Sequence, residues 1–423
     1  MYDGRLIDRL IRDCLAELPA ILVEGAKAVG KTRTCSNIAK TVYTLDKDAD
    51  RELLTADPSV ILSETPPVLL DEWQLAPELW SFVRHAVDDG LHAGAVLFTG
   101  SSTKVNAKIH SGAGRILRVK MRPYTIEERQ MSGEYIRVSD LLAANKALKV
   151  QGKTDKLIGD YLDEIFRSGF PGIRGQSERA RKLLLQSYVA NIIEHEFEEN
   201  GFQVKKPESL RAWLMAYAAC IATPAKYQAI LDASMANNLE TPSRPTANNY
   251  RDALSILHIV DEVPAFAAMG KLLPNLAKAP KHFLMDAAIA IALLSVSRDE
   301  LTTVERPKAI GKFNKTFVGQ LFESFVCQSL IVYAELNDAE LSHFRLASGT
   351  REIDFIIKKG RKLLLTEVKA SASVSEDDAR HLNWFEAEAM GEYEITKVLV
   401  YAGPFAYTRN DGVHVIPASM LGV

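Results

Sequence analysis

Eight residues near the start of the chain restrict its fold more than any others. Gly25-Ala26-Lys27-Ala28-Val29-Gly30-Lys31-Thr32 fits GxxxxGK(S/T) at every fixed position, directly after an apolar run of strand length, Ala20–Glu24. The pattern demands a strand, a glycine-rich turn and the start of a helix. Glycines let successive backbone N–H groups and the helix N-terminus face the β- and γ-phosphates of a nucleotide. Lys31 adds a mobile positive charge, the Thr32 hydroxyl is placed to ligate Mg2+, and Arg33 completes the stretch expected to hold the cofactor.

Two further strand ends supply polar groups. The run Pro67–Leu70 leads straight into Asp71-Glu72, which puts two carboxylates at the C-terminal edge of a parallel strand, where α/β sheets hold ligands. Asp71 is expected to hold Mg2+ through water, and Glu72 to polarise the attacking water as a catalytic residue. The run Ala95–Phe98 ends in Thr99-Gly100-Ser101-Ser102. Ser101 and its neighbours either hydrogen-bond the γ-phosphate or its attacking water, or cap a helix. Arg115 precedes the strand-like Ile116–Lys120. It either faces solvent or stabilises the transferring phosphate, in its own or a neighbouring subunit of a homo-oligomer.

A second constellation lies near the other end. A helix over Val318–Leu330 carries Glu323 among apolar residues, and two strand-like runs around Lys359-Gly360 read as a tight hairpin. If 358 pairs with 361, then 354 lies opposite 365, and strict alternation places Asp354, Glu367 and Lys369 on one face. Asp354 and Glu367, with Glu323, are candidate Mg2+ ligands that polarise a phosphodiester and lower the pKa of a bound water. Lys369 would orient that water and offset phosphate charge. The competing reading is a salt bridge from Glu367 to Lys369 or Arg361 on an exposed hairpin.

The order GAKAVGKT, VLLDE, LFTGSS and GAGRILRVKMRPYTIEE resembles the AAA-type ATPase module of a broad prokaryotic ATP-binding family. The resemblance covers roughly residues 1–130 and implies a five-stranded parallel sheet with ATP as the nucleotide. In that family the module precedes a poorly characterised C-terminal region. The spacing D-x12-E-x-K is similar to the PD-(D/E)xK restriction-endonuclease-like fold, in which a helix glutamate often sits where Glu323 does. Ile353 stands where that pattern has a proline, an accepted kind of variation.

Between these ends the chain is mainly amphipathic helix, including Lys182–Glu198 and Glu208–Cys220. Thr246 is expected to cap a helix with Ala253, Leu254 and Leu257 facing a core, followed by a strand at His258–Val263. That order resembles the recognition helix and wing of a winged helix, which the family carries between its two larger domains. Arg244, Asn248, Asn249 and Arg251, with Lys271, Lys278 and Lys281 near the wing, are then candidate DNA contacts. A helical lid packed on the ATPase is the other reading.

The expected architecture is α/β: an AAA-type P-loop domain over residues 1–135, a helical region with a winged helix over 136–307, and a nuclease-like α/β domain over 308–423. With 51 Lys+Arg against 54 Asp+Glu the net charge is −3, so any DNA site must be local. The four cysteines are far apart, which argues against zinc and disulfides and makes a reducing cytoplasm the simplest setting. Trp213–Ala222 and Ala287–Val296 are about half the ~20 residues a bilayer span needs, so no membrane partner is expected. The expected function is ATP hydrolysis coupled to a DNA-directed nuclease-like domain, with ATP-gated cleavage as its sharpest form. The alternatives are an ATP-driven DNA- or protein-binding switch without cleavage, and a signalling ATPase that oligomerises on sensing a partner.

Overall fold

The computed structural model describes residues 2, 4–100, 112–143, 148–202, 204, 206–235, 242–267, 279–302, 315–346, 348–389 and 391–423. Strands β1 (Ala20–Glu24), β2 (Thr41–Thr44), β3 (Val68–Asp71), β4 (Val96–Gly100) and β5 (Leu117–Lys120) form one sheet in the order β2-β3-β4-β1-β5. Every pairing in it is parallel. Alternate residues along the central strands enter two separate cores. Ile21, Val23, Leu69 and Leu97 face one, and Leu22, Val68, Leu70, Val96 and Phe98 the other, as the period of two requires. Burial on both faces explains why these strands read as continuous apolar runs. Strand β2 was not among the expected elements. Its residues, Thr41-Val42-Tyr43-Thr44, lie at the sheet edge and are half-buried or exposed, so no apolar run marks them.

The middle region opens with β6 (Ile136–Arg137) and β7 (Gln151–Lys153) and continues as helices. The helix Glu178–Asn191 passes into a π-helical turn, Ile192–Glu196. Helices Pro207–Ala219, Tyr227–Met235 and Arg244–Ile256 then precede an antiparallel pair, β8 (Val260–Val263) and β9 (Lys281–Leu284). Thr223, between the first two of these helices, forms an isolated antiparallel bridge with His282 of β9. The cap of the third helix is Ser243, not Thr246. The Ser243 hydroxyl accepts the Thr246 N–H at 3.3 Å, because Pro245 fits only the first turn, where its missing N–H costs nothing.

The C-terminal part begins with the helix Lys315–Leu336, followed by β10 (Glu340–Arg345), β11 (Glu352–Lys359), β12 (Lys362–Lys369), the helix Arg380–Glu388 and β13 (Glu394–Tyr401). Strands β10, β11 and β12 are antiparallel neighbours and β13 runs parallel to β12. Three more strands follow: β14 (Phe405–Thr408), β15 (His414–Pro417) and β16 (Leu421–Gly422). The seven-stranded sheet runs β10-β11-β12-β13-β15-β14-β7. Its far edge strand, β7, thus comes from the segment expected to be helical. Strand β16 pairs with β6 beside the N-terminal domain, and the Val423 N–H donates to Glu127 Oε2 at 2.8 Å.

The hairpin register differs from the expected one by two residues. Lys359 pairs with Lys362 and Ile356 with Leu365, because the turn is Gly360-Arg361 with Gly360 at φ +60°. A shift of two keeps every side chain on its face. Asp354, Glu367 and Lys369 therefore still converge. The segment Phe317–Leu336 is long and apolar enough by composition to cross a membrane, and 67% of its most apolar window is buried inside the structure. It is the core helix beneath β10 and β12.

Candidate functional site

The phosphate loop curls between the C-terminal end of β1 and the helix Lys31–Ile38. Gly25 (φ +152°) is obligatory, since a Cβ there would lie 2.3 Å from the Met121 carbonyl oxygen. Lys31 is buried and its ammonium donates to the Gly25 and Ala26 carbonyls at 2.9 and 2.8 Å. Burial lowers its pKa to about 8, against the raising effect of Glu72 and Asp71. The Thr32 hydroxyl donates to Asp71 Oδ1 at 2.8 Å, and the buried Thr99 hydroxyl donates to the same oxygen. The Thr32 hydroxyl, in the first turn of the helix, and the Asp71 carboxylate, at the end of β3, are thus fixed together, a donor pair that fits Mg2+. Glu72 adopts the left-handed conformation at φ +56°, uncommon for a residue with a Cβ, and its carboxylate accepts from the Gln74 amide.

Arg5 holds the loop from outside. Its guanidinium donates to Val29 O at 3.0 Å and Arg122 O at 2.7 Å and pairs with Glu128 at 2.7 Å. Arg115 pairs on the surface with Asp88 of its own chain at 2.6 Å. Ser101 lies outside the described residues.

The middle region reaches the loop through residues that no sequence reading selected. Lys27 pairs with Glu199 at 2.8 Å and lies 3.8 Å from Glu196 Oε1, while the Tyr188 hydroxyl donates to the Lys27 carbonyl at 3.3 Å. Glu196, at the end of the π-helical turn, is 2% exposed. Burial raises its pKa, and Lys27 and the Asn191 amide, which donates to Glu196 Oε1 at 3.0 Å, oppose that. π-Turns recur at functional positions, but they leave no local mark in sequence.

In the C-terminal sheet, Glu323, Asp354 and Glu367 do come together, but around a lysine. Lys281 Nζ lies 2.5 Å from Glu323 Oε1, 2.8 Å from Asp354 Oδ1 and 3.5 Å from Glu352 Oε1. Its side chain is 1% exposed. This corrects its expected place as an exposed DNA contact at the wing: β9 is buried throughout and turns the lysine inward. The other Asp354 oxygen, Oδ2, accepts the Val368 N–H at 2.9 Å, and Lys369 donates to Glu367 Oε1 at 2.7 Å. Burial and then Asp354 push Glu367 up to about 8, and burial and then Asp354 do the same to Glu323. Burial would also raise Asp354, but Lys281 and Lys369 hold it below the ordinary value. Among the described residues no group of three or more His, Cys, Asp or Glu side chains is arranged to hold a metal ion. As arranged, the cluster does not fit Mg2+.

Arg244, Asn248 and Asn249 are exposed on their helix. Arg251 pairs with Asp252 at 2.6 Å and stacks 5.0 Å from the Tyr227 ring. Lys271 and Lys278 lie outside the described residues.

A parallel sheet of this order, with a phosphate loop after β1 and an acidic pair at the C-terminal end of β3, defines a P-loop nucleotide-binding domain. Residues 17–130 match the AAA domain family, so the N-terminal domain is an AAA-type ATPase domain with ATP as its ligand. Residues 158–300 and 318–421 match two families, DUF8612 and DUF4143, each described as a domain of unknown function. Among solved structures the chain is similar to the Walker-type ATPase of Pyrococcus abyssi, with 14% identity over 69% of this chain and 96% of that one and a TM-score of 0.39. No curated protein matches it.

Proposed function

We propose that the chain is an ATP-hydrolysing switch whose nucleotide cycle controls a DNA-directed C-terminal domain. The observation that carries the ATPase half is the Thr32–Asp71 contact beside Lys31. Lys31 exchanges its two loop carbonyls for the β- and γ-phosphates, and Thr32 and Asp71 hold Mg2+. The ion neutralises phosphate charge when bound. Thr99 orients Asp71, and Glu72 takes a proton from the attacking water. Arg115 serves a neighbouring copy in a homo-oligomer, after leaving Asp88.

For the other half, a helix with Glu323, three antiparallel strands, a helix and a parallel strand support a restriction-endonuclease-like reading, with Asp354, Glu367 and Lys369 at its centre. Three helices, a hairpin and the Thr223–His282 bridge support a winged helix, with Arg244, Asn248 and Asn249 toward DNA. Of the two forms of this function, binding without cleavage is favoured, because Lys281 lies among the carboxylates that cleavage would need. The test compares wild type with Lys31→Ala for ATP hydrolysis, and with Asp354→Ala and Lys369→Ala for DNA binding and for cutting of plasmid and linear DNA in Mg2+ or Mn2+, with and without ATP. ATP-dependent DNA binding with intact plasmid supports the switch. Cutting lost in both C-terminal variants makes the protein a nuclease instead.

A further inference from the structure

We propose that Lys281 is the resident cation of the C-terminal carboxylate cluster, standing where a divalent metal would have to sit, so that the cluster takes up no Mg2+ or Mn2+ while this lysine is in place. The inference deepens the non-cleaving reading of the C-terminal sheet by naming the group that closes it.

Three features carry it. The ammonium lies 2.5 Å from Glu323 and 2.8 Å from Asp354, whereas Mg2+ needs oxygens at roughly 2.0–2.1 Å in near-octahedral array and keeps several waters. A 1% exposed lysine leaves no room for that shell among those oxygens. The second feature is charge. Lys281 and Lys369 already face Glu323, Glu352, Asp354 and Glu367, and a dication a few ångströms from a buried ammonium would be strongly repelled. Asp354 Oδ2 and Glu367 Oε1 are further engaged by the Val368 N–H and by Lys369.

The third feature is delivery. Lys281 does not belong to the C-terminal sheet. It is the first residue of β9, paired with Val263 across the β8–β9 hairpin of the middle region. Next to it, His282 Nε2 lies 2.8 Å from the Ala225 carbonyl, and the His282 N–H donates to Thr223 O at 3.1 Å. The backbone that carries the lysine is therefore held on the middle region. The hairpin is also joined to the C-terminal sheet, where the Phe283 ring lies 5.8 Å from that of Phe355 in β11 and the Phe266 N–H donates to the His343 carbonyl of β10 at 2.7 Å, so the contact that fills the cluster also helps to fasten the two regions together.

The experiment titrates nucleotide-free full chain with Mn2+, following free Mn2+ by electron paramagnetic resonance. Wild type and Asp354→Asn are expected to bind the same amount, with no Asp354-dependent site. Lys281→Met is expected to gain one Mn2+ per chain, lost again in Lys281→Met/Asp354→Asn. Because Lys281→Met leaves carboxylates without their cation, Lys281→Met/Glu323→Gln, which removes one charge of each sign, is measured beside it with cooperative melting as the check on folding. A wild-type Mn2+ site that disappears in Asp354→Asn overturns the proposal. So does a cooperatively folded Lys281 variant that gains no site. DNA gel shifts are run separately: their failure would reject the DNA-directed reading and leave the Mn2+ result standing.

Discussion

Lys27 in the phosphate loop and Glu199 beyond the π-helical turn form an ion pair at 2.8 Å although they lie 172 positions apart in sequence. The loop that meets the nucleotide is thereby tied to the middle region, and a change in one is felt by the other. Glu199→Ala releases Lys27 toward the phosphates, so ATP is expected to bind at least threefold more tightly. Both partners are partly exposed, and the stability change should stay within about 1 kcal/mol. Titration with a fluorescent ATP analogue and a melting curve measure the two effects. An unchanged Kd would uncouple Lys27 from the nucleotide.

Binding and hydrolysis should separate cleanly at the acidic pair. Lys31→Ala is expected to lose ATP binding, while Glu72→Gln keeps it and hydrolyses about 100-fold more slowly or worse, the usual contribution of a positioned base. Steady-state phosphate release alongside equilibrium nucleotide binding makes the comparison. Wild-type turnover in Glu72→Gln would remove Glu72 from the reaction.

Arg115 distinguishes a solitary ATPase from one completed by its neighbour. Action in trans makes the rate per chain rise with protein concentration, and Arg115→Ala abolishes the rise without weakening ATP binding. Equal rates at dilute and concentrated protein would leave Arg115 as a surface partner of Asp88.

The chain should lose stability in mild acid partly through His343. This side chain is fully buried, with Nε2 donating to the Ala279 carbonyl at 2.9 Å and Nδ1 without a hydrogen-bond partner among the described residues. Burial lowers its pKa to about 4, and Lys281 adds to that. The unfolded chain takes up the proton near pH ~6.5, so between about 6.5 and 4 the unfolded state binds more protons. The contribution is complete above about 6.5 and is lost as the pH falls through that window. His343→Gln, which can still donate to Ala279, is expected to show a flatter dependence of Tm on pH there. Parallel curves for the two proteins would assign the acid loss to other groups.

What the sequence discloses depends on distance along the chain. Gly25 to Thr32 and Asp71-Glu72 are contiguous motifs at strand ends, and alternation alone puts Asp354, Glu367 and Lys369 on one face even with the turn misplaced by one residue and the pairing by two. Lys281 escapes because its carboxylate partners lie far along the chain: Asp354 is 73 positions away, and a lysine opening an apolar strand looks like an exposed wing residue. Glu196 falls near the end of the amphipathic helix expected over Lys182–Glu198 and Glu199 just beyond it, where nothing local marks either. Only the packing of the middle region against the phosphate loop gives them partners.

Strand β7 adds a problem of timing. Gln151–Lys153 leave the ribosome about 250 residues ahead of the strand they pair with, Phe405–Tyr407, which at ~5–20 residues per second means a wait on the order of ten to fifty seconds. Through that interval the N-terminal sheet can finish folding while the second sheet still lacks most of its strands. Synthesis thus imposes an order: the nucleotide-binding sheet has all its strands before the second sheet has most of its own.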